Sequence, residues 1–250
     1  MNWLTYIAVD NNPRGGGHSS FIIDIGANCG DTVAALIKHT VSDVLCVEPV
    51  PAYFGLLEKN LSIMGREFRE RIITFNAFVG CEEKNWTYKT EHGTAHMVEA
   101  GKINKDDIPT YSLPNVLQTN GISDNQISLI KVDTDGYDAD CIMSMGNALK
   151  EINPPIFWEN YIENDEQLKS YNSLMDYLAD SGYTTYYVFD NFGNYMLETD
   201  VDGVKNINAY INRIIQGFSA RTFYYVDILA IKGSKEQYEN VIRKYTEKYA

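Results

Sequence analysis

Short apolar runs alternate with segments of helical periodicity along most of the 250-residue chain. The helical segments place apolar side chains three or four positions apart, whereas the short runs are rich in the β-branched and aromatic residues that favour strands. This alternation predicts an open, mostly parallel sheet of seven strands with helices on both faces. The predicted strands lie at 21–25, 44–48, 72–79, 127–133, 156–161, 184–189 and 224–231, and the clearest helices at 31–39, 51–64, 165–181 and 235–248.

No linker or internal repeat divides this pattern, so we predict a single α/β domain over residues 1–250. Residues 82–125 depart from it because they are polar and rich in turn formers. A connection that long in a compact domain is usually a lid or an inserted subdomain. Residues 1–20 are also irregular, and the sequence DNFGN within the aromatic segment 184–197 predicts a β-hairpin.

A glycine-rich turn follows the first predicted strand. Asp24 in that strand precedes Gly26, Asn28 and Gly30, and the second apolar run ends on Glu48. A doubly wound, Rossmann-like sheet holds an adenosine-containing cofactor in this way, with glycines admitting it to the backbone and a carboxylate accepting from the ribose hydroxyls. The order D-x-G-x-N-x-G lacks the third glycine of the G-x-G-x-x-G fingerprint, which argues against a dinucleotide. We expect Asn28 to be a turn residue with positive φ.

A second polar cluster follows the predicted strand at 127–133. That strand ends on Asp133, and Asp135 and Asp138 follow before the next helical pattern. Because reactive centres of open α/β sheets lie beyond the carboxyl ends of the strands, three carboxylates at this point indicate a functional site. The alternative for Asp135 and Asp138 is capping of the next helix, which contributes about 1 kcal/mol.

Together these motifs resemble the FkbM-type family of class I S-adenosylmethionine-dependent methyltransferases. The stretch I-K-V-D-T-D-G-Y-D is similar to the family signature I-K-x-D-x-E-G-x-E, with Asp135 one methylene shorter than the usual glutamate. FIIDIGANCGDT and CVEPVPAYFGLLEKNL resemble two further motifs, and NPPIFWEN, which contains Glu159, resembles a third. The similarity extends from about residue 21 to 231. It implies an O-methyltransferase acting on a hydroxyl of a small molecule, sugar or glycan, with an antiparallel last strand in its sheet.

The resemblance also implies roles for individual residues. An alcohol acceptor must lose its proton, and a group within hydrogen-bond reach has to take it. We predict that Asp133 acts either as this base or as a group that orients cofactor and substrate. His92 and His96 in the 82–125 segment are second candidates, although a lone histidine is more often a surface residue. Phe78 would stack on the adenine or pack in the core. The predicted S-adenosylmethionine-binding residues are Asp24, Gly26, Asn28, Gly30, Glu48, Phe78 and Asp133.

A metal site is the weaker alternative to metal-free catalysis. The carboxylates of Asp133, Asp135, Asp138 and Glu159 form a hard-oxygen set that could hold Mg²⁺ or Ca²⁺ and acidify a hydroxyl. The aspartate spacing is not that of an EF-hand, because Ser144 stands where the closing glutamate is needed.

Composition narrows the partners and the compartment. A net charge of −13 without a Lys/Arg-rich tract argues against nucleic acid. Four scattered cysteines without paired spacing suit a reducing compartment. No apolar stretch approaches 18 residues and no secretory signal begins the chain, so we expect a cytoplasmic protein without a membrane span. Nothing in the sequence indicates an oligomeric state.

Two other functions stay open on sequence alone. A nicotinamide-dependent oxidoreductase would use the same strand, turn, helix and ribose carboxylate. A non-catalytic cofactor-binding or interaction domain would share the whole pattern without turning over a substrate.

Overall fold

The computed structural model describes residues 20–81, 85–91, 94–99, 108–215, 217 and 225–249, but not most side chains of 85–99. The strands are β1 (Phe21–Ile25), β2 (Asp43–Val47), β3 (Ile72–Phe75), β4 (Phe78–Val79), β5 (Asn85–Glu91), β6 (Thr94–Glu99), β7 (Ile108–Tyr111), β8 (Ile127–Val132), β9 (Ile156–Tyr161), β10 (Thr185–Asp190), β11 (Tyr195–Thr199) and β12 (Tyr225–Ile231). The α-helices are α1 (Asp31–His39), α2 (Pro51–Ser62), α3 (Arg66–Arg69), α4 (Leu113–Thr119), α5 (Asp138–Met143), α6 (Ala148–Glu151), α7 (Asp165–Asp180), α8 (Val201–Ile215) and α9 (Glu236–Tyr249).

Eight strands form the main sheet in the order β11-β10-β12-β9-β8-β1-β2-β3. The strands from β3 across to β9 are parallel, whereas β12 is antiparallel to both of its neighbours, β9 and β10. The predicted mostly parallel sheet with an antiparallel last strand is therefore confirmed. The predicted count of seven is one short, because the confirmed hairpin at DNFGN adds β11 antiparallel to β10 at the sheet edge.

The run 72–79 is not one strand, as the sequence pattern suggested. It breaks after Phe75, where the Asn76 side chain donates to the backbone oxygens of Glu48 (2.7 Å) and Pro49 (3.1 Å). The chain then enters a second sheet of order β4-β7-β5-β6. The described part of the 82–125 segment thus contains strands, and α4 at its end packs into the main core. Its role as a lid remains a prediction.

Helices cover both faces of the main sheet. Buried side chains of α4, α5, α7 and α8 pack on one face, and those of α1, α2 and α9 on the other. Strands β1 and β8 lie between these layers and are buried at every position, as expected for central parallel strands. Within the described chain, no helix has the length and apolarity required to cross a bilayer.

Two charged side chains are exceptions in these central strands. Asp24 in β1 and Lys131 in β8 are register partners, and both are buried. Buried charges are costly unless they are paired. This buried ion pair therefore marks a polar position at the otherwise apolar centre of the sheet, between β1 and β8.

Candidate active site

The strand order reverses at β1, with β2 and β3 on one side and β8 and β9 on the other. Ligands of open α/β sheets bind at such a switch point, beyond the carboxyl ends of the strands. A cleft opens there past the ends of β1, β2 and β8. The structure brings six of the sequence-predicted residues to this cleft, namely Gly26, Asn28, Glu48, Phe78, Asp133 and Asp135.

Glu48 lies just past the end of β2 and is buried. Its Oε1 accepts from the backbone N–H of Val50 (2.8 Å) and its Oε2 from that of Asn28 (2.9 Å). Burial raises the pKa of Glu48 above its ordinary value, while these two N–H groups oppose the rise. Because each carboxylate oxygen has two acceptor positions, both oxygens can still accept a hydrogen bond from a bound molecule.

Gly26 forms the floor of the cleft where β1 and β8 end side by side. Its φ is +78°, and a Cβ at this position would lie 1.8 Å from the backbone oxygen of Asp133. No other residue fits here without displacing the end of β8. Asn28 has a φ of 47°, so its predicted positive φ is confirmed.

Gly30 is not among the residues that line the cleft, and its predicted approach to the cofactor remains a prediction. Its φ is +89°, and a Cβ there would lie 2.7 Å from Leu57 Cδ1 on α2. Gly30 therefore permits the close approach of α2 to the start of α1.

Asp24 also lies away from the cleft surface, because its side chain is completely buried beside Lys131. Lys131 Nζ is 2.9 Å from Asp24 Oδ1 and 3.4 Å from Asp133 Oδ2. Burial alone would lower the pKa of Lys131, but the two carboxylates outweigh it and raise that pKa. Sequence reasoning missed Lys131, although a lysine inside an apolar strand signals a buried charge that needs a partner.

Asp133 occupies the mouth of the cleft. Its backbone N–H donates to Ile25 O (3.0 Å), which ties the end of β8 to the end of β1. Its side chain is 44% exposed, so solvent and a bound molecule can both reach it. Asp133 also lines a second cavity on the β9 side of the cleft, and it is therefore shared by two adjoining spaces.

Asp138 is a buried structural residue rather than a part of the cleft. Its Oδ2 accepts from Thr134 Oγ1 (3.0 Å) and from the backbone N–H of Gly136 (3.3 Å), which closes the turn after β8. The position before α5 is occupied by Tyr137, so Asp138 does not cap the helix as its N-cap. Burial and the nearby Asp133 carboxylate raise the pKa of Asp138 to about 7.

The four carboxylates of the metal alternative are not gathered around one point. Asp135 lines the cleft, Asp138 is buried in the turn, and Glu159 faces the second cavity. Among the residues that the structure describes, no group of three or more His, Cys, Asp and Glu side chains is placed to hold a metal ion.

The two histidine candidates cannot be positioned relative to this site. His92 lies outside the described residues, and His96 lies on β6 opposite Lys89 with its side chain outside them. Their catalytic role remains a prediction.

Phe78 lines the cleft and also packs in a small apolar cluster. Its ring meets that of Tyr137 edge to face, with centroids 5.5 Å apart. Tyr53, in the first turn of α2, borders the same space and was missed from the sequence. Its position in the first turn of α2, directly after Glu48 and Pro49, could have pointed to it in the sequence.

Comparisons with known proteins agree with this geometry. The model of the methyltransferase FkbM domain matches residues 24–185. A search of curated protein sequences found no match. Among solved structures, an O-methyltransferase from Bacillus cereus in complex with SAH shares 10% identity over 93% of this chain and 80% of its own, with a TM-score of 0.51. The O-methyltransferase TomG from Streptomyces achromogenes, involved in tomaymycin synthesis and solved with SAM, shares 9% identity over 93% and 79%, also with a TM-score of 0.51. At these identities the likeness shows a common fold.

Proposed function

This chain belongs to the FkbM methyltransferase family and is an S-adenosylmethionine-dependent methyltransferase, and we propose that it methylates a hydroxyl oxygen of a small molecule, sugar or glycan. The family membership excludes the alternatives of an oxidoreductase and of a non-catalytic domain. The observation that carries the proposal is the position of Asp133, which borders both the cleft at the switch point and the cavity beside it.

The residues of the cleft fit an adenosine-containing cofactor. Both Glu48 oxygens are held by backbone N–H groups and retain acceptor positions for ribose hydroxyls. Gly26 leaves the floor open, and the aromatic rings of Phe78 and Tyr53 provide flat apolar surface. S-adenosylmethionine, when bound, supplies an electrophilic methyl group on a sulfonium. The contribution of the protein is then to align the acceptor and to exclude water.

Asp133 is the proposed proton acceptor. With S-adenosylmethionine bound, the Asp133 carboxylate would take the proton of the acceptor hydroxyl as that oxygen is methylated. Lys131, 3.4 Å from Asp133 Oδ2, restrains the orientation of this side chain. Asp133→Asn should lower kcat about 10²- to 10⁴-fold, the usual contribution of a positioned base, and leave the affinity for S-adenosylhomocysteine within about threefold. An unchanged kcat would shift the role to His92 or His96.

Calorimetric titration with S-adenosylhomocysteine and with NAD tests the cofactor assignment. Hydrogen bonds to a charged group contribute about 1.5–3 kcal/mol each, so Glu48→Ala should weaken S-adenosylhomocysteine binding at least about tenfold. Asp31→Asn is the matched control, because Asp31 is an exposed carboxylate beside the glycine turn that does not line the cleft. Binding of NAD in place of S-adenosylhomocysteine, or equal affinities for the wild type and Glu48→Ala, would refute the assignment.

We also propose that the protein acts in the cytoplasm. The described cysteines Cys29, Cys46, Cys81 and Cys141 form no disulfide with one another, which suits a reducing compartment. Cell fractionation with an antibody against the chain would test this location, and recovery in an oxidising compartment would contradict it.

A further inference from the structure

A second cavity adjoins the cofactor cleft and shares Asp133 with it. Its walls come from the end of β8, from β9 and β12, and from the tip of the hairpin between β10 and β11. A molecule in this cavity would therefore lie next to one in the cleft, with the Asp133 side chain at the boundary.

The main polar feature of the cavity wall is a pair of carboxyl groups. Glu159 on β9 and Asp227 on β12 are directly opposite each other in the antiparallel register, and both line the cavity. Side chains opposed in this way lie about 5 Å apart at Cβ, and like charges there destabilise a sheet. Such a pair needs either a shared proton or a ligand to offset the repulsion.

Burial and the nearby Asp133 carboxylate raise the pKa of Glu159 to about 9 and that of Asp227 to about 7. At neutral pH the pair therefore retains at least one proton. A carboxylic acid beside a carboxylate can donate one hydrogen bond and accept others. This combination matches the hydroxyl group, which is itself both donor and acceptor.

The hairpin tip adds a further polar group to the cavity wall. Asn191 lines the cavity, and its buried Oδ1 has no hydrogen-bond partner in the described part of the chain. The tip itself is well fixed, because Asp190 Oδ1 accepts from the backbone N–H groups of Phe192 (2.9 Å) and Asn194 (2.8 Å). A buried polar atom of this kind is satisfied by a ligand or by water. The ring of Phe192, 77% exposed, stands at the cavity rim.

The charge of the cavity disfavours anions. Among its described lining residues Lys131 is the one cation, and Asp24 and Asp133 already pair with it. In the described part of the wall, carboxyl groups thus face the cavity without a cation free to bind a phosphate or a carboxylate.

We infer that this second cavity is the acceptor site, and that Glu159 and Asp227 bind hydroxyl groups next to the one that is methylated. The carboxyl pair selects an uncharged polyhydroxyl compound over its phosphorylated or carboxylated relatives. This inference rests on the proposed function, because it places the acceptor of that reaction.

The inference is tested by nuclear magnetic resonance titration of the ¹⁵N-labelled protein, saturated with S-adenosylhomocysteine. The titration uses three glucose derivatives that differ in charge. These are methyl α-glucopyranoside, glucose 6-phosphate and glucosamine. The uncharged glycoside should shift amide signals at 158–160, 191–193 and 226–228, and the phosphate should bind at least tenfold more weakly. The variant Glu159→Ala/Asp227→Ala should lose glycoside binding at least tenfold. Its affinity for S-adenosylhomocysteine, within about twofold of the wild type, would show that it is folded.

A conservative variant separates hydrogen bonding from charge. Glu159→Gln/Asp227→Asn keeps donors and acceptors, so glycoside affinity should stay within about threefold while the discrimination against glucose 6-phosphate falls at least fivefold. Glu198→Gln, on β11 and paired with Lys235 at the surface, is the control and should change neither. Absence of glycoside shifts at these strands, equal binding of the phosphate by the wild type, or a tenfold preference for glucosamine would overturn the inference. If the wild type did not bind S-adenosylhomocysteine, that result would instead contradict the proposed function.

Discussion

Replacing Lys131 by methionine should strongly destabilise the protein. The side chain of Lys131 is 3% exposed and that of Asp24 is completely buried, with 2.9 Å between Nζ and Oδ1. Removing one partner of a buried pair leaves an uncompensated charge, which costs about 3–5 kcal/mol. The same magnitude follows from protonation of Asp24. Holding a carboxyl with an ordinary pKa near 4 in its neutral form at pH 7 costs about 4 kcal/mol, at 1.36 kcal/mol per pH unit.

The cost of Lys131→Met should depend on pH with a definite sign. In the variant, the folded-state pKa of Asp24 is raised above its unfolded value by burial without a cation. The folded variant therefore binds more protons than the unfolded chain, and its stability falls as pH rises. The difference between wild type and variant should be largest near pH 7.5 and should shrink toward pH 4.5.

Urea unfolding followed by tryptophan fluorescence at both pH values measures these differences. A double-mutant cycle with Asp24→Asn should give a coupling of at least about 2 kcal/mol, since the double variant leaves neither charge unpaired. Lys205→Met is the control, because Lys205 pairs with Asp176 at the surface, where such pairs contribute about 0–1 kcal/mol. Additivity of the two single variants within about 0.5 kcal/mol, or a cost that does not change with pH, would refute the reasoning.

Three further variants test local features. Gly26→Ala should lower the free energy of unfolding by at least about 2 kcal/mol and weaken S-adenosylhomocysteine binding, because the new Cβ would clash with Asp133 O. Gly121 has open space around it, so Gly121→Ala should lower the free energy of unfolding in urea only by the roughly 1–2 kcal/mol that a positive φ costs. The raised folded-state pKa of Asp138 should make the wild type lose about 4 kcal/mol of stability between about pH 4 and pH 7, and Asp138→Asn should remove this loss. A free energy of unfolding that changes with pH equally in the wild type and the variant would contradict this. Asn164→Ala should lower stability by about 1 kcal/mol through loss of the cap on α7, and an unchanged midpoint would contradict it.

Sequence patterns were sufficient wherever the structural cause is local. The apolar spacing within α1 and α7, the hairpin at DNFGN and the positive φ of Asn28 depend on neighbours a few residues away. Glu48 was predictable as well, because a carboxylate at the end of the second strand has a fixed relation to the glycine turn in this kind of sheet.

Longer-range relations required the fold. Asp24 and Glu159 acquire their surroundings from Lys131 and Asp227, which lie on other strands and meet them through sheet order and register. Leu57 on α2 is the reason that a Cβ has no room at Gly30. A sequence specifies which side chains leave one face of a strand, since that alternation has a period of two. Which strands lie side by side, and therefore which charges must share a proton or form a pair, is decided by the packing of the whole sheet.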